Sequence, residues 1–262
     1  MTNFSAALWA EILKARRSKV PLFTALGFSF VPLVDGLFMI ILKDPEAAKS
    51  MGLISAKAQM MVGTADWTTF FSVLAQAVAV GGMIVFAIIT AWVFGREFTD
   101  RTAKELLAVP TSRETIIAAK FIVTTLWTFA LILLVFILGL IVGNLVSIPG
   151  WSMELLGTAF GDVVGSGALT IAMLTFVAFI ASLARGEMAA IGWTILTVAM
   201  SQIAIITGWG DWFPWSVAGL FSGAAGPRDE LLGTHSYIIV FIACIIALAA
   251  TFYWWRNADQ TK

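Results

Sequence analysis

Five stretches of this chain, residues 67–95, 121–153, 163–184, 188–210 and 231–255, contain no Asp, Glu, Lys or Arg, and a sixth, 20–42, contains only Asp35. An α-helix rises 1.5 Å per residue, so roughly 20 apolar residues cross the ~30 Å of hydrocarbon in a bilayer. Each of the six runs is long enough. A transmembrane barrel would show strands of about ten residues alternating apolar and polar, and these runs are continuous. The sequence therefore predicts an all-α, polytopic membrane protein whose single transmembrane domain, 1–262, has six transmembrane helices. Their expected positions are about 20–42, 67–95, 115–146, 157–184, 189–207 and 235–255. Composition agrees: 60% of residues are hydrophobic and 12% charged, against about 25% charged in a soluble domain.

The formal net charge is zero, so nothing points to nucleic acid, but the cations are unevenly placed. Of the 16 Lys and Arg, only Lys43, Lys49, Lys57 and Arg228 fall outside the segment before the first run, the connections 2–3 and 4–5, and the tail after the sixth. By the positive-inside rule the rich side is cytoplasmic, which puts both termini there, as an even number of spans requires. A basic start followed by an apolar run also describes a secretory signal. The run 20–42 is longer than a typical signal core and ends without a small-residue cleavage site, so a retained first span is expected. The lone cysteine, Cys244, lies within the sixth run and reads as a buried apolar thiol.

Before the first run, Phe4, Leu8, Trp9, Ile12 and Leu13 share about half of a helical wheel, with Glu11, Lys14 and Arg17 largely opposite. This predicts a short helix lying in the membrane interface, polar face to the water.

The densest charge lies between the second and third runs, where residues 97–113 read EFTDRTAKELLAVPTSR. Thr102 to Glu105 and Thr111 to Glu114 both fit the S/T-x-x-E capping box, and Pro110 cannot continue a helix and pushes Val109 toward an extended conformation. A short helix over about 103–108 is expected, followed by a restart into the third span. Leu106 and Leu107 on such a helix have no core of their own to enter, which makes them candidates to fill a groove on another protein; a solvated loop is the alternative. Glu97, where the second span ends, is expected to pair with Arg101 or Arg113.

This loop, with Lys120 seven residues into the next helix, resembles the cytoplasmic loop of ABC-2 type transporter permeases, the bacitracin- and multidrug-export group. The layout is similar throughout: an N-terminal interfacial helix, six spans, the loop after span 2 and a broken apolar element before span 6. The resemblance implies that 96–114 carries a coupling helix that docks on a cytosolic ATP-binding subunit, with Glu97, Thr102, Lys104, Leu106, Leu107, Pro110 and Arg113 as coupling residues. It further implies two ATP-binding subunits holding ATP and Mg²⁺, a second copy of this chain or a paralogous permease, and a bacterial-type plasma membrane. Arg101 stands where many relatives have Gly. Consistent with a separate ATPase, no G-x-x-x-x-G-K-[ST] phosphate loop occurs in the sequence, so neither a catalytic site nor a bound cofactor or metal is expected in this chain.

Asp35 and Asp162 are candidates for the translocation path because intramembrane acids are costly and by default functional; a near-surface position or an interhelical partner is the other reading. Gln76 and Gln202 are candidates because spans 2 and 5 face the central cavity in the family, against ordinary interhelical hydrogen bonding. Gly157, Gly161 and Gly165 in span 4 and Gly139 and Gly143 in span 3 allow close helix approach, within the subunit or at a homodimer seam. Residues 211–228 hold an apolar run too short to cross, bracketed by Pro214 and Pro227, and read as a re-entrant element on the outer side. The family places an outer gate there, with Trp212, Pro214 and Trp215 as its candidates. The implied function is ATP-driven export of a hydrophobic or amphipathic substrate such as a peptide antibiotic, drug or lipid. An ion-coupled secondary transporter using Asp35 and Asp162 is the alternative, although it leaves the capped loop unexplained.

Overall fold

The computed structural model describes residues 3–44, 64–102, 105, 110–226 and 228–257, and the regular structure among them is helical throughout. In order these are α1 (Asn3–Arg17), α2 (Val20–Lys43), α3 (Trp67–Gln76), a π-helical turn (Ala77–Gly81), α4 (Gly82–Thr99), α5 (Arg113–Val146), α6 (Met153–Leu183), α7 (Glu187–Ile206), a 3₁₀ turn (Gly210–Trp212), α8 (Pro214–Phe221), α9 (Arg228–Leu231) and α10 (Thr234–Asn257). Among the described residues six helical units are long and apolar enough to cross a membrane: α2, the α3–π–α4 unit, α5, α6, α7 and α10.

Helix α6 lies at the centre, with α3, α4, α7, α8 and α10 against it, while α1 and α2 lie along α5. Helix α3 approaches α5 where α5 has no side chains. A Cβ on Gly139 would stand 2.5 Å from Leu74, and one on Gly143 would stand 2.3 Å from Trp67. The glycine pair thus serves packing within the chain. Of Gly157, Gly161 and Gly165 in span 4, only Gly165 meets a neighbour, Phe221 of α8, while Gly157 and Gly161 face open space. Trp67, Phe70 and Phe71 are buried, and edge contacts and stacking against Phe136 and Trp151 fill this region.

Side-chain caps start several helices. Ser112, one residue after the expected Thr111, accepts from the Thr115 amide at 3.2 Å to open α5, and Ser152 accepts from Leu155 at 3.1 Å to open α6. Asp66 accepts from the Thr69 amide at 2.8 Å at the head of α3. Partial burial works against its charge, but hydrogen bonds from Thr64 and Thr69 hold the carboxyl below the ordinary carboxylate range. Helices α4, α5 and α6 end on left-handed residues, Arg101 (φ 59°), Ser147 (φ 57°) and Arg185 (φ 54°). Each is followed by an amide that reaches back five residues, such as Thr102 to the Glu97 carbonyl at 2.9 Å. This closing turn usually takes glycine. Arg101 forms it without glycine, at a cost of about 1–2 kcal/mol for an L-residue, so the departure from the family residue leaves the tight turn in place.

The π-turn in the second span returns the Gly82 amide to Ala77, one residue beyond α-helical spacing. Opposite it, the Thr170 hydroxyl of α6 stands 3.4 Å from the Ala79 carbonyl. A side chain placed against a widened turn is an ordinary cause of such irregularity.

Helix α8, with eight residues, is too short to cross a bilayer and is held between α6, α7 and α10. Its Ser216, 1% exposed, turns its hydroxyl back to the carbonyls of Gly210 and Phe213.

Candidate functional site

The N-terminal helix α1, the end of α4, the start of α5 and the end of α10 gather at one end of the bundle. There four charged side chains meet in the interior. Lys120 is fully buried, Glu97 is 3% exposed and Glu11 5%. The Lys120 ammonium donates to Glu97 Oε1 at 2.7 Å, to the Val93 carbonyl at 2.7 Å and to Glu11 Oε2 at 3.3 Å, which uses all three of its protons. Lys14 donates to Glu11 Oε1 at 2.5 Å and to Glu97 Oε1 at 2.9 Å. Burial lowers the Lys14 ammonium, but Glu11 and Glu97 outweigh it and hold the group above the ordinary lysine range.

Two carboxylates and two ammonium groups make the cluster neutral, the condition under which buried charge is tolerated. It joins three elements, α1 through Glu11 and Lys14, α4 through Glu97 and α5 through Lys120, around the point where loop 96–114 departs. The arrangement corrects two expectations. Glu97 pairs with Lys120 and Lys14 instead of Arg101 or Arg113, because Glu11 and Lys14 on the polar face of α1 turn inward, while Arg17 on that face stays exposed. That face was expected to meet water, yet Glu11 and Ala15 are the buried residues of α1, and Phe4 and Trp9 are exposed.

The remaining loop residues divide. The Arg113 guanidinium donates to the Trp255 carbonyl at 3.0 Å, and Glu114 lies 3.7 Å from Arg256, which ties the start of α5 to the end of α10. Thr102 closes the turn after α4, and Pro110 is exposed. Lys104, Leu106 and Leu107, and with them all of the expected helix at 103–108 except Glu105, lie outside the described residues. Close by, a Cβ on Gly95 would stand 2.8 Å from the backbone at Gly186, so α4 presses on the turn between α6 and α7.

The expected path residues do not converge. Asp35, 3% exposed on α2, borders a groove of about 460 Å³ between α2 and α3. Asp162 borders a different cavity and pairs with Arg228 at 2.7 Å, both side chains about one-third exposed. The Arg228 guanidinium also lies over the Phe221 ring, 4.8 Å from its centre. Asp162 is therefore an ion-paired residue within reach of the connection before α9, not an isolated intramembrane acid. Gln76 donates along its own helix to the Ser72 hydroxyl at 3.1 Å, and Gln202 is exposed on α7.

At the other end, Trp212 lies 4.5 Å from the His235 ring, and His235 Nε2 is 2.9 Å from Asp211. Pro214 starts α8. Trp215 contacts Phe176, Trp193 and Phe213, fastening the head of α8 to α6 and α7.

Comparison with known proteins bears on this arrangement. The family described as ABC-2 family transporter protein matches residues 7–201, a range that includes all four members of the charged cluster. The bacitracin transport permease BcrB of Bacillus licheniformis is 28% identical over 179 residues, covering 68% of this chain and 85% of that protein. No solved structure matches the chain.

Proposed function

This chain belongs to the ABC-2 family of transporter proteins and is a membrane subunit of an ABC transporter, and from that premise we propose that it is the permease of an exporter. Its cargo is a hydrophobic or amphipathic compound such as a peptide antibiotic, drug or lipid. Two cytosolic ATP-binding subunits carry the ATP and Mg²⁺, and a second copy of this chain or a paralogous permease completes the pathway. The charged cluster is the observation that carries this reading. A loop that transmits force must start from a rigid body, and Glu97 and Lys120 bind the exit of α4, the start of α5 and α1 into one. Loop residues Thr102, Lys104, Leu106, Leu107, Pro110 and Arg113 form the docking part. The exposed Gln202 and half-buried Gln76 are placed at the shared cavity, and Trp212, Pro214 and Trp215 at the outer gate. The similar permease is named for transport of bacitracin, which supports an amphipathic peptide as cargo.

The test is reconstitution. The purified chain should hydrolyse no ATP above background, and ATP-driven transport should appear only when a soluble ATP-binding subunit is added. Turnover by the isolated chain that survives removal of contaminating ATPases would overturn the assignment.

Orientation follows from the cation asymmetry: both termini and loop 96–114 face the cytoplasm. Reporters placed after Lys262 and within 97–113 should read cytoplasmic, and a reporter beside Arg228 should read exterior. A cytoplasmic reading at Arg228 would reverse the orientation of α10.

A further inference from the structure

We propose that the groove between α2 and α3 is a binding site for a hydrophobic cation, with the Asp35 carboxylate as its counter-charge; the proposal rests on the transporter reading and adds a substrate class to it. Asp35 lies in the middle of α2, is 3% exposed, and neither of its oxygens has a hydrogen-bond partner among the described residues. The groove of about 460 Å³ is walled by Phe30, Val34, Phe38, Val73 and Ala77, and its volume is that of a small-molecule site.

A carboxylate kept from water without a partner is a costly feature, and its chemistry limits what can relieve it. An anion is repelled. A small metal ion requires about six oxygen ligands, whereas this groove offers one carboxylate among apolar side chains. A primary ammonium would leave donors unsatisfied there. A cation whose charge is spread within an apolar shell fits: the carboxylate neutralises it, the aliphatic walls cover its surface, and the groove lining includes two aromatic side chains, Phe30 and Phe38. Phe30 and Val34 are themselves 64% and 60% exposed, so the groove opens on the flank of the molecule, where a compound dissolved in the bilayer reaches it directly. Ala77 opens the π-turn, which places the one irregularity of the second span in the wall of the site, where such turns are often found at functional positions.

The probe is tetraphenylphosphonium, with triphenylphosphine oxide as a neutral compound of similar bulk. Binding of both is measured by equilibrium dialysis to the full chain in lipid nanodiscs, without the ATP-binding subunit. Asp35→Asn should weaken phosphonium binding by about tenfold or more, the effect of losing a desolvated counter-charge, while leaving the neutral compound unchanged. Asp35→Glu should retain phosphonium binding, and Asp162→Asn should not alter it. Equal phosphonium binding by wild type and Asp35→Asn would overturn the proposal and show a carboxyl that carries only a proton. Absent binding by the wild type, or equal losses of the cation and the neutral compound, would overturn it as well. Because no ATP is present, phosphonium binding without ATP-driven transport in the reconstituted system would leave this site standing and refute the exporter assignment alone.

Discussion

Lys120→Met is expected to destabilise the folded chain by about 3–5 kcal/mol, the loss that follows when one partner of a buried ion pair is removed. The methionine fills much of the lysine volume, so the effect is electrostatic. Glu97 and Glu11 remain buried with Lys14 as their one ammonium, and the cluster acquires a net negative charge. The Val93 carbonyl also loses the Lys120 donor. The measurement is the thermal midpoint of the detergent-solubilised protein, read beside its yield from the membrane. Adding Glu97→Gln should recover a large part of the loss, since one carboxylate and one ammonium again balance; a positive coupling of this kind is the mark of a direct interaction. An unchanged midpoint in Lys120→Met would show that water reaches and solvates this cluster.

Changing Leu106 and Leu107 together to Ser is expected to release the ATP-binding subunit. Each leucine buried in a partner groove contributes about 1.5–3 kcal/mol, so loss of both weakens assembly by at least about a hundredfold, at 1.4 kcal/mol per decade. The spans should stay folded. The turn after α4 is closed by its own backbone through Thr102 and Glu97, and α5 starts on its own cap at Ser112; neither depends on the leucines. Co-purification of the ATP-binding subunit at equal expression reads the effect, and undiminished co-purification with undiminished transport would reduce the loop to a solvated connection.

The six spans were legible because hydrocarbon imposes a constraint that each segment meets separately: a run without charge, long enough to cross. Pairing between distant segments leaves no comparable trace. Glu11 and Lys120 are 109 residues apart, and a helical wheel drawn for α1 alone sends its charges to water because nothing in that stretch announces opposite charges on α4 and α5. The available signal was Lys120 itself, placed seven residues into a 34-residue apolar helix, where an ammonium group requires acceptors from elsewhere. For Asp162 two readings stayed open for the same reason: the partner that decides for an ion-paired acid, Arg228, lies 66 residues further on. Asp35, by contrast, was legible as an acid within a span and keeps that character in the fold. The shift of the α5 cap from Thr111 to Ser112 shows how little separates two adjacent hydroxyls when only spacing is known.

The π-turn gives the second span the proportions of a lever. On one side of it, the 18 residues of α4 extend about 27 Å toward the loop, and on the other, Val73 lies only about 6 Å away along α3. Pivoting at the turn, a stroke of about 3 Å at the loop end would reach Val73 as well under 1 Å, with force multiplied as travel is reduced. Such a linkage is a reduction gear: it is suited to prising a tightly filled groove open by a small amount, and unsuited to carrying its occupant across the membrane.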